Sequence, residues 1–184
     1  HHIKFIYRAG KTESTVFGVT FGATLLLPME FAIYLGVLLS LVLYLRRTSK
    51  PKITALARSH HAKKLVPAQR SNLPECEALK IIRIDGSIFF GAVDYVQSAL
   101  MVIPQKHVLI VASGINFMDL AGTALLANEA KRLNALGGGL YLCNTNGSVI
   151  KPIIRNGHLS AIGKRHFFAT KVLALSGIDD ILHG

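Results

Sequence analysis

The sequence predicts an α-helical membrane hairpin followed by an α/β domain with a mixed, mostly parallel sheet and packed helices. Three observations carry that expectation. Basic charge gathers in the first 70 residues, a 30-residue apolar run sits among those charges, and strand and helix patterns alternate from Ala78 to the end. The chain has 184 residues, of which 51% are apolar and 17% charged. That balance excludes a disordered chain, which needs few apolar and many charged residues. Residues 1–70 hold 11 Lys+Arg and 2 acids, a net of +9, whereas residues 71–184 hold 10 Lys+Arg and 8 acids, a net of +2. The charge lies beside a greasy segment instead of forming the basic face of a nucleic-acid binder, so no nucleic acid is expected as a partner.

From Val16 to Leu45 run 30 residues in which Glu30 is the only side chain charged at neutral pH. The apolar core of a signal peptide is about 7 to 15 residues, so this run is too long to be one. As one straight helix it would reach about 45 Å, against a hydrocarbon core of roughly 30 Å. Pro28-Met29-Glu30 interrupts it, because proline removes a backbone donor and a carboxylate is costly in mid-bilayer. The run divides into a 12-residue arm, Val16 to Leu27, and a 15-residue arm, Phe31 to Leu45. Lys4, Arg8 and Lys11 precede it, and Arg46, Arg47, Lys50 and Lys52 follow, so both ends prefer the cytoplasm. A helical hairpin satisfies both flanks; a single kinked, tilted helix is the alternative.

Arms of about 18 and 23 Å do not cross a bilayer unaided and need protein around them. Gly18-x-x-x-Gly22, Thr20-x-x-x-Thr24 and Gly36-x-x-x-Ser40 suit close helix contacts in lipid. Glu30 is the intramembrane carboxylate candidate, and at a hairpin tip it reaches headgroup water. The chain opens on His1 and not on methionine, which points to the tail of a longer membrane protein, with His1-His2 as a tag remnant the alternative. The organisation expected is a cytosolic lead-in over 1–15, the hairpin over 16–46, a basic linker over 47–71 and the soluble domain over 72–184. The linker cations, including Arg58, Lys63, Lys64 and Arg70, either attract anionic lipid, at about 1 kcal/mol each, or only set topology. His60-His61 within it reads better as solvated linker than as a metal site.

In the soluble part, Leu79 to Ile84 and Ser87 to Phe90 have the form of two strands joined by a tight Asp85-Gly86 turn. A helix follows with Val93, Val96, Leu100 and Ile103 on one face, and Pro104 ends it. His107 to Ala112 is an apolar strand of the sort buried in a parallel sheet. Asp119 caps the next helix, Leu126, Ala130 and Leu133 form its buried stripe, and Gly137-Gly138-Gly139 stops it. Leu140 to Cys143 is a strand. Ser148 caps a short helix carrying Ile150, Ile153 and Ile154, Phe167 to Ala169 makes a last strand, and a final helix lies near Val172 to Leu175. Such alternation implies helices packed on a mostly parallel sheet.

Little points to catalysis. Cys76 and Cys143 lie far apart, without a Cys-x-x-Cys or a paired Cys/His spacing, so neither a disulfide framework nor a zinc site is expected. Ser113, Cys143, eight histidines and the triple glycine are joined by no nucleophile elbow, phosphate loop or metal spacing. The triple glycine follows a helix instead of opening one. No enzyme and no cofactor is expected.

The run Phe21 to Ser40, FGATLLLPMEFAIYLGVLLS, resembles the last two membrane helices of SulP anion transporters. The segment Arg83 to Ala92, RIDGSIFFGA, resembles the start of their cytoplasmic STAS domain, the module shared with anti-sigma factor antagonists. Asn116 to Gly122, NFMDLAG, is similar to the loop-to-helix signature of that fold. The resemblance covers nearly the whole chain. It implies a multi-pass secondary transporter of the cell (inner) membrane that moves sulfate or a related anion, with a homodimeric membrane domain, the STAS domain in the cytoplasm and a possible cytosolic protein partner for it. The two arms would belong to the gate region that scaffolds the dimer, and the anion site would be built by earlier helices, upstream of this chain. In the antagonists the residue after the loop aspartate is a phosphorylatable serine; here it is Leu120, which has no hydroxyl. Thr123 is the nearest hydroxyl downstream and a poor substitute, so Asp119 is expected to be a helix cap. The alternative to a transporter tail is a membrane-anchored STAS signalling module without transport activity.

Overall fold

The computed structural model describes residues 11–26, 28–58, 65–67 and 78–183. The chain forms two compact units, His1–Thr48 and Ser49–Gly184. In the first, α1 (Lys11–Leu26) and α2 (Met29–Thr48) are separated at Pro28. Proline there lacks only a donor that a helix start leaves unused, and its carbonyl accepts the N–H groups of Phe31 at 3.0 Å and Ala32 at 3.3 Å. The chain doubles back. The Thr20 hydroxyl lies 3.1 Å from where a Gly36 Cβ would stand, and Ala32 is fully buried, which excludes one continuous kinked helix. Small residues at Gly36 and Ala32 admit this approach, whereas the Gly18 and Gly22 positions face open space.

Both helices exceed the expected arms. α1 has 16 residues and takes in the polar start from Lys11, and α2 has 20, running from Met29 through Arg46 and Arg47. At 1.5 Å per residue α2 is about 30 Å long, so the expectation that neither arm matches a bilayer fails for the second. Among the described residues one helix, Glu30–Thr48, has the length and apolarity of a membrane span, with a mean hydropathy of 1.5. The apolar part of the first helix, Ser14–Ala23, is shorter. Leu27 lies outside the described residues.

The second unit is a mixed sheet with helices on both faces. Its elements are β1 (Lys52–Arg58), β2 (Leu65–Pro67), β3 (Leu79–Ile88), α3 (Val93–Met101), β4 (His107–Val111), β5 (Ile115–Met118), α4 (Leu120–Ala135), β6 (Gly139–Cys143), α5 (Gly147–Arg155), α6 (Leu159–Ile162), β7 (Phe167–Phe168) and α7 (Lys171–His183). The order across the sheet is β2-β1-β3-β4-β6-β7, with β5 beside the end of β3. The β3-β4, β4-β6, β6-β7 and β3-β5 pairs are parallel, and β1 and β2 add an antiparallel edge.

Side chains alternate faces along a strand, and here both faces are covered. Ile82, Ile84, Val108, Ile110, Leu140 and Leu142 join one cluster with Val96 and Leu100 of α3, Leu126, Ala130 and Leu133 of α4, and Val149 and Ile153 of α5. Leu79, Ile81, Leu109, Val111, Tyr141 and Cys143 face the other way, onto Ala174, Leu175 and Ile178 of α7. The expected helix stripes on α3 and α4 are therefore the buried ones. α4 stops as expected at its glycines: Gly137 N–H donates to Asn134 and Gly138 N–H to Leu133, the paired bonds of a Schellman motif.

Five expectations are corrected. Asp85-Gly86 is not a hairpin turn, because β3 runs straight through it. Gly86, at φ 132°, takes a conformation few other residues adopt and absorbs a register shift where β3 passes from β4 to β5. The segment from Lys52 is not linker: Lys52 to Leu56 pair with Asp85 to Ile81, so the α/β unit starts at Ser49, ahead of Asn72. Asn116–Met118, expected as loop, belongs to a strand, Ile115–Met118, beside β3. The helix expected to be capped by Ser148 follows Asn146, whose side chain instead donates to the Ile115 carbonyl at 3.0 Å, and its buried pair is Val149 and Ile153, with Ile154 exposed. The final helix extends well past Leu175, to His183.

Candidate functional site

The loop-to-helix junction at Asp119 is built where two parallel strands end together. β5 runs beside β3 until Met118 pairs with Ile88, and the chain then turns into α4. Asp119 holds an extended conformation at the junction. One carboxylate oxygen accepts the Gly122 N–H at 2.8 Å, and the other accepts the Phe90 N–H at 3.0 Å. The first bond satisfies a helix donor that has no partner within α4, and the second ties the end of β3 to the start of α4. A negative charge at this end also complements the helix dipole. Gly122 is required by closeness: a Cβ there would overlap the Ile88 carbonyl oxygen.

Thr123 is fully buried. Its hydroxyl donates to the Leu120 carbonyl at 2.9 Å and accepts from Asn156 Nδ2 at 3.0 Å, so it is a strut between α4 and the end of α5. A phosphoryl donor has no access to it. Leu120, the residue in the serine position, is 63% exposed, and Phe90 and Phe117 are exposed as well. The junction thus presents apolar side chains over a hydrogen-bonded aspartate. Asp119 and Thr123 are within one turn of each other, yet their polar atoms are engaged in holding the fold together. Phe90 and Phe117 were missed in the sequence because a strand end gives no sign of which of its side chains stays outside.

Glu30, the other singled-out residue, belongs to the first unit and is exposed in the first turn of α2 beside Pro28. His60-His61 and Cys76 lie outside the described residues. Cys143 is buried, and burial pushes its thiol up to about 11 although Lys171 pulls the other way, so little thiolate exists at neutral pH. Ser113 sits exposed in the 3₁₀ turn Ala112–Gly114.

One polar cluster had no signal in the sequence. His107 Nδ1 is 3.2 Å from the Tyr141 hydroxyl, and the Tyr141 ring lies 4.6 Å from that of His166, whose Nδ1 is 2.9 Å from the Leu140 carbonyl. Burial, then the His166 and Lys106 charges, hold His107 below the usual imidazole range, and burial raises Tyr141. A neutral His107 thus fits the α7 face of the core.

Residues 70–174 match the STAS domain family. The chain belongs to that family. It is similar along most of its length to YvdB of Bacillus subtilis, assigned as a sulfate transporter, with 26% identity over 88% of this chain and 29% of that protein. Among solved structures it is similar to the murine Slc26a9 anion transporter in the inward-facing state, at a TM-score of 0.86 and 19% identity, over 96% of this chain and 30% of that one. It is also similar to a sulfate transporter family protein from Wolinella succinogenes, at a TM-score of 0.54 and 22% identity, over 67% of this chain and 96% of that one. The chain spans less than a third of the length of YvdB and of Slc26a9.

Proposed function

We propose that the chain is the C-terminal part of a secondary anion transporter for sulfate or a related anion. In this reading α1 and α2 are its last two membrane helices, inserted as a hairpin with both ends in the cytoplasm, and the STAS domain serves regulation or assembly there. The observation that carries it is the order of parts: an apolar helix pair with basic flanks leads directly into a STAS domain. The likeness to Slc26a9 over 96% of the chain takes in the hairpin as well as the sheet. The anion site belongs to helices ahead of this chain, and a homodimer and a cytosolic partner of the STAS domain are part of the same reading. A signalling module switched by phosphorylation is disfavoured by Leu120 and by the engaged Thr123 hydroxyl.

Uptake of labelled sulfate, bicarbonate and dicarboxylates by cells expressing the whole reading frame around this chain tests the proposal. Saturable uptake of at least one of them, reduced when residues 49–184 are deleted, is expected. A membrane-inserted protein that takes up none of the three would overturn it.

A further inference from the structure

We propose that the cleft between α1 and α2 binds an anionic phospholipid of the leaflet at the Arg47 end, with an acyl chain lying between the helices. This rests on the membrane placement proposed above. The two helices touch where Thr20 meets Gly36. Toward the start of α1 and the end of α2 they bound a cleft of about 560 Å³. Val16, Phe17 and Leu43 give it apolar walls, and Arg47 is the cation among its lining residues.

An apolar trough with a guanidinium in its last turn matches a molecule that is hydrocarbon at one end and anionic at the other. Ser40 and Arg47 both line the cleft, seven residues apart and therefore about 10 Å along α2, so the charge is confined to one end of the trough. A free anion would gain nothing from the walls. A neighbouring apolar helix seated there would bury Arg47 and would have to supply a carboxylate for it. A phospholipid brings the counter-charge itself and leaves the guanidinium at headgroup level.

Native mass spectrometry of the full chain in detergent, titrated with phosphatidylglycerol or phosphatidylcholine, tests the proposal. Phosphatidylglycerol should be retained at about fivefold lower concentration, the effect of one well-placed cation. Arg47→Gln should bring the two lipids within about twofold. Arg46→Gln, exposed and outside the cleft lining, should keep the preference, and Ser40→Leu, which fills the cleft, should weaken both lipids. Equal retention of the two lipids by the unaltered chain overturns the proposal, as does an equal loss of preference in Arg46→Gln and Arg47→Gln. Release of the chain from membranes by alkaline carbonate would instead overturn the membrane placement. A chain that resists carbonate and shows no lipid preference refutes the lipid site alone.

Discussion

The hairpin and the α/β unit are made from the same apolar residue types and place them oppositely. In the α/β unit Leu109, Ile110, Leu126 and Leu140 are wholly buried. In the hairpin Phe31, Val37, Leu38 and Leu41 are each more than half exposed, and its buried apolar residues among those described are Ala23 and Ala32. Burial of apolar surface stabilises a fold in water by roughly 25 cal/mol per Å², and the hairpin gains little of it. Its contacts are those of helices in lipid, small residues against backbone. One region is organised by exclusion of water from within, the other, in the membrane placement proposed above, by an apolar surrounding.

The sharpest test of that contrast is where the water-organised unit starts. Residues 49–184 should unfold cooperatively in urea without the hairpin. Residues 72–184 should not, because they lack β1, its ladder to Ile81–Asp85 and the buried Leu56. Hydrogen bonds at about 1 kcal/mol each and a buried leucine at about 2 to 5 kcal/mol are a large share of a typical 5–15 kcal/mol stability. Equal urea midpoints for the two fragments would show β1 to be dispensable.

Next in size is the same substitution made in each region. Leu126→Ala opens a cavity in the larger core and should cost about 3 kcal/mol in the urea unfolding of residues 49–184. Leu38→Ala removes a side chain that faces outward and should leave carbonate-resistant membrane retention of the full chain unchanged. A loss of retention would mean that Leu38 packs against protein, and the contrast would weaken.

Asp119→Ala should cost about 1 to 2 kcal/mol by the same urea measurement, since both the Gly122 and Phe90 N–H groups lose their acceptor. Asp119→Asn should cost less, because its single side-chain oxygen still accepts one of the two bonds. A loss no larger for alanine than for asparagine would remove the aspartate from its role as a tie between β3 and α4.

What could be read in advance follows the same physical division. Strand and helix existence was legible at His107–Val111 and along α4, where continuous apolarity or a 3.6-residue stripe meets Asp119 and the triple glycine as punctuation. The edge was not. Lys52-Ile53-Thr54-Ala55-Leu56 alternates weakly and lies within a basic stretch, so charge masked a strand whose place is settled by its partner β3. Asp85-Gly86 misled because a positive-φ glycine serves a bulge as well as a turn, and only the distant β5 decides between them. The cap role of Asp119 is local and was readable; its second bond, to Phe90, spans 29 residues and was not. Thr123 became a strut through Asn156, 33 residues away.

The smallest expected effect is at Glu30, the one carboxylate in the apolar run. It is exposed in the first turn of α2, where the helix begins after Pro28 and free backbone N–H groups gather. A carboxylate there complements the helix end without a dedicated partner among the described residues, and glutamine retains the shape and an acceptor oxygen. If the chain is part of the anion transporter proposed above, Glu30→Gln should therefore change anion uptake by the whole protein less than about twofold at unchanged surface abundance. Abolished uptake with normal insertion would give the tip of the hairpin a part in transport. The hairpin would then hold a working group of its own in addition to its packing contacts.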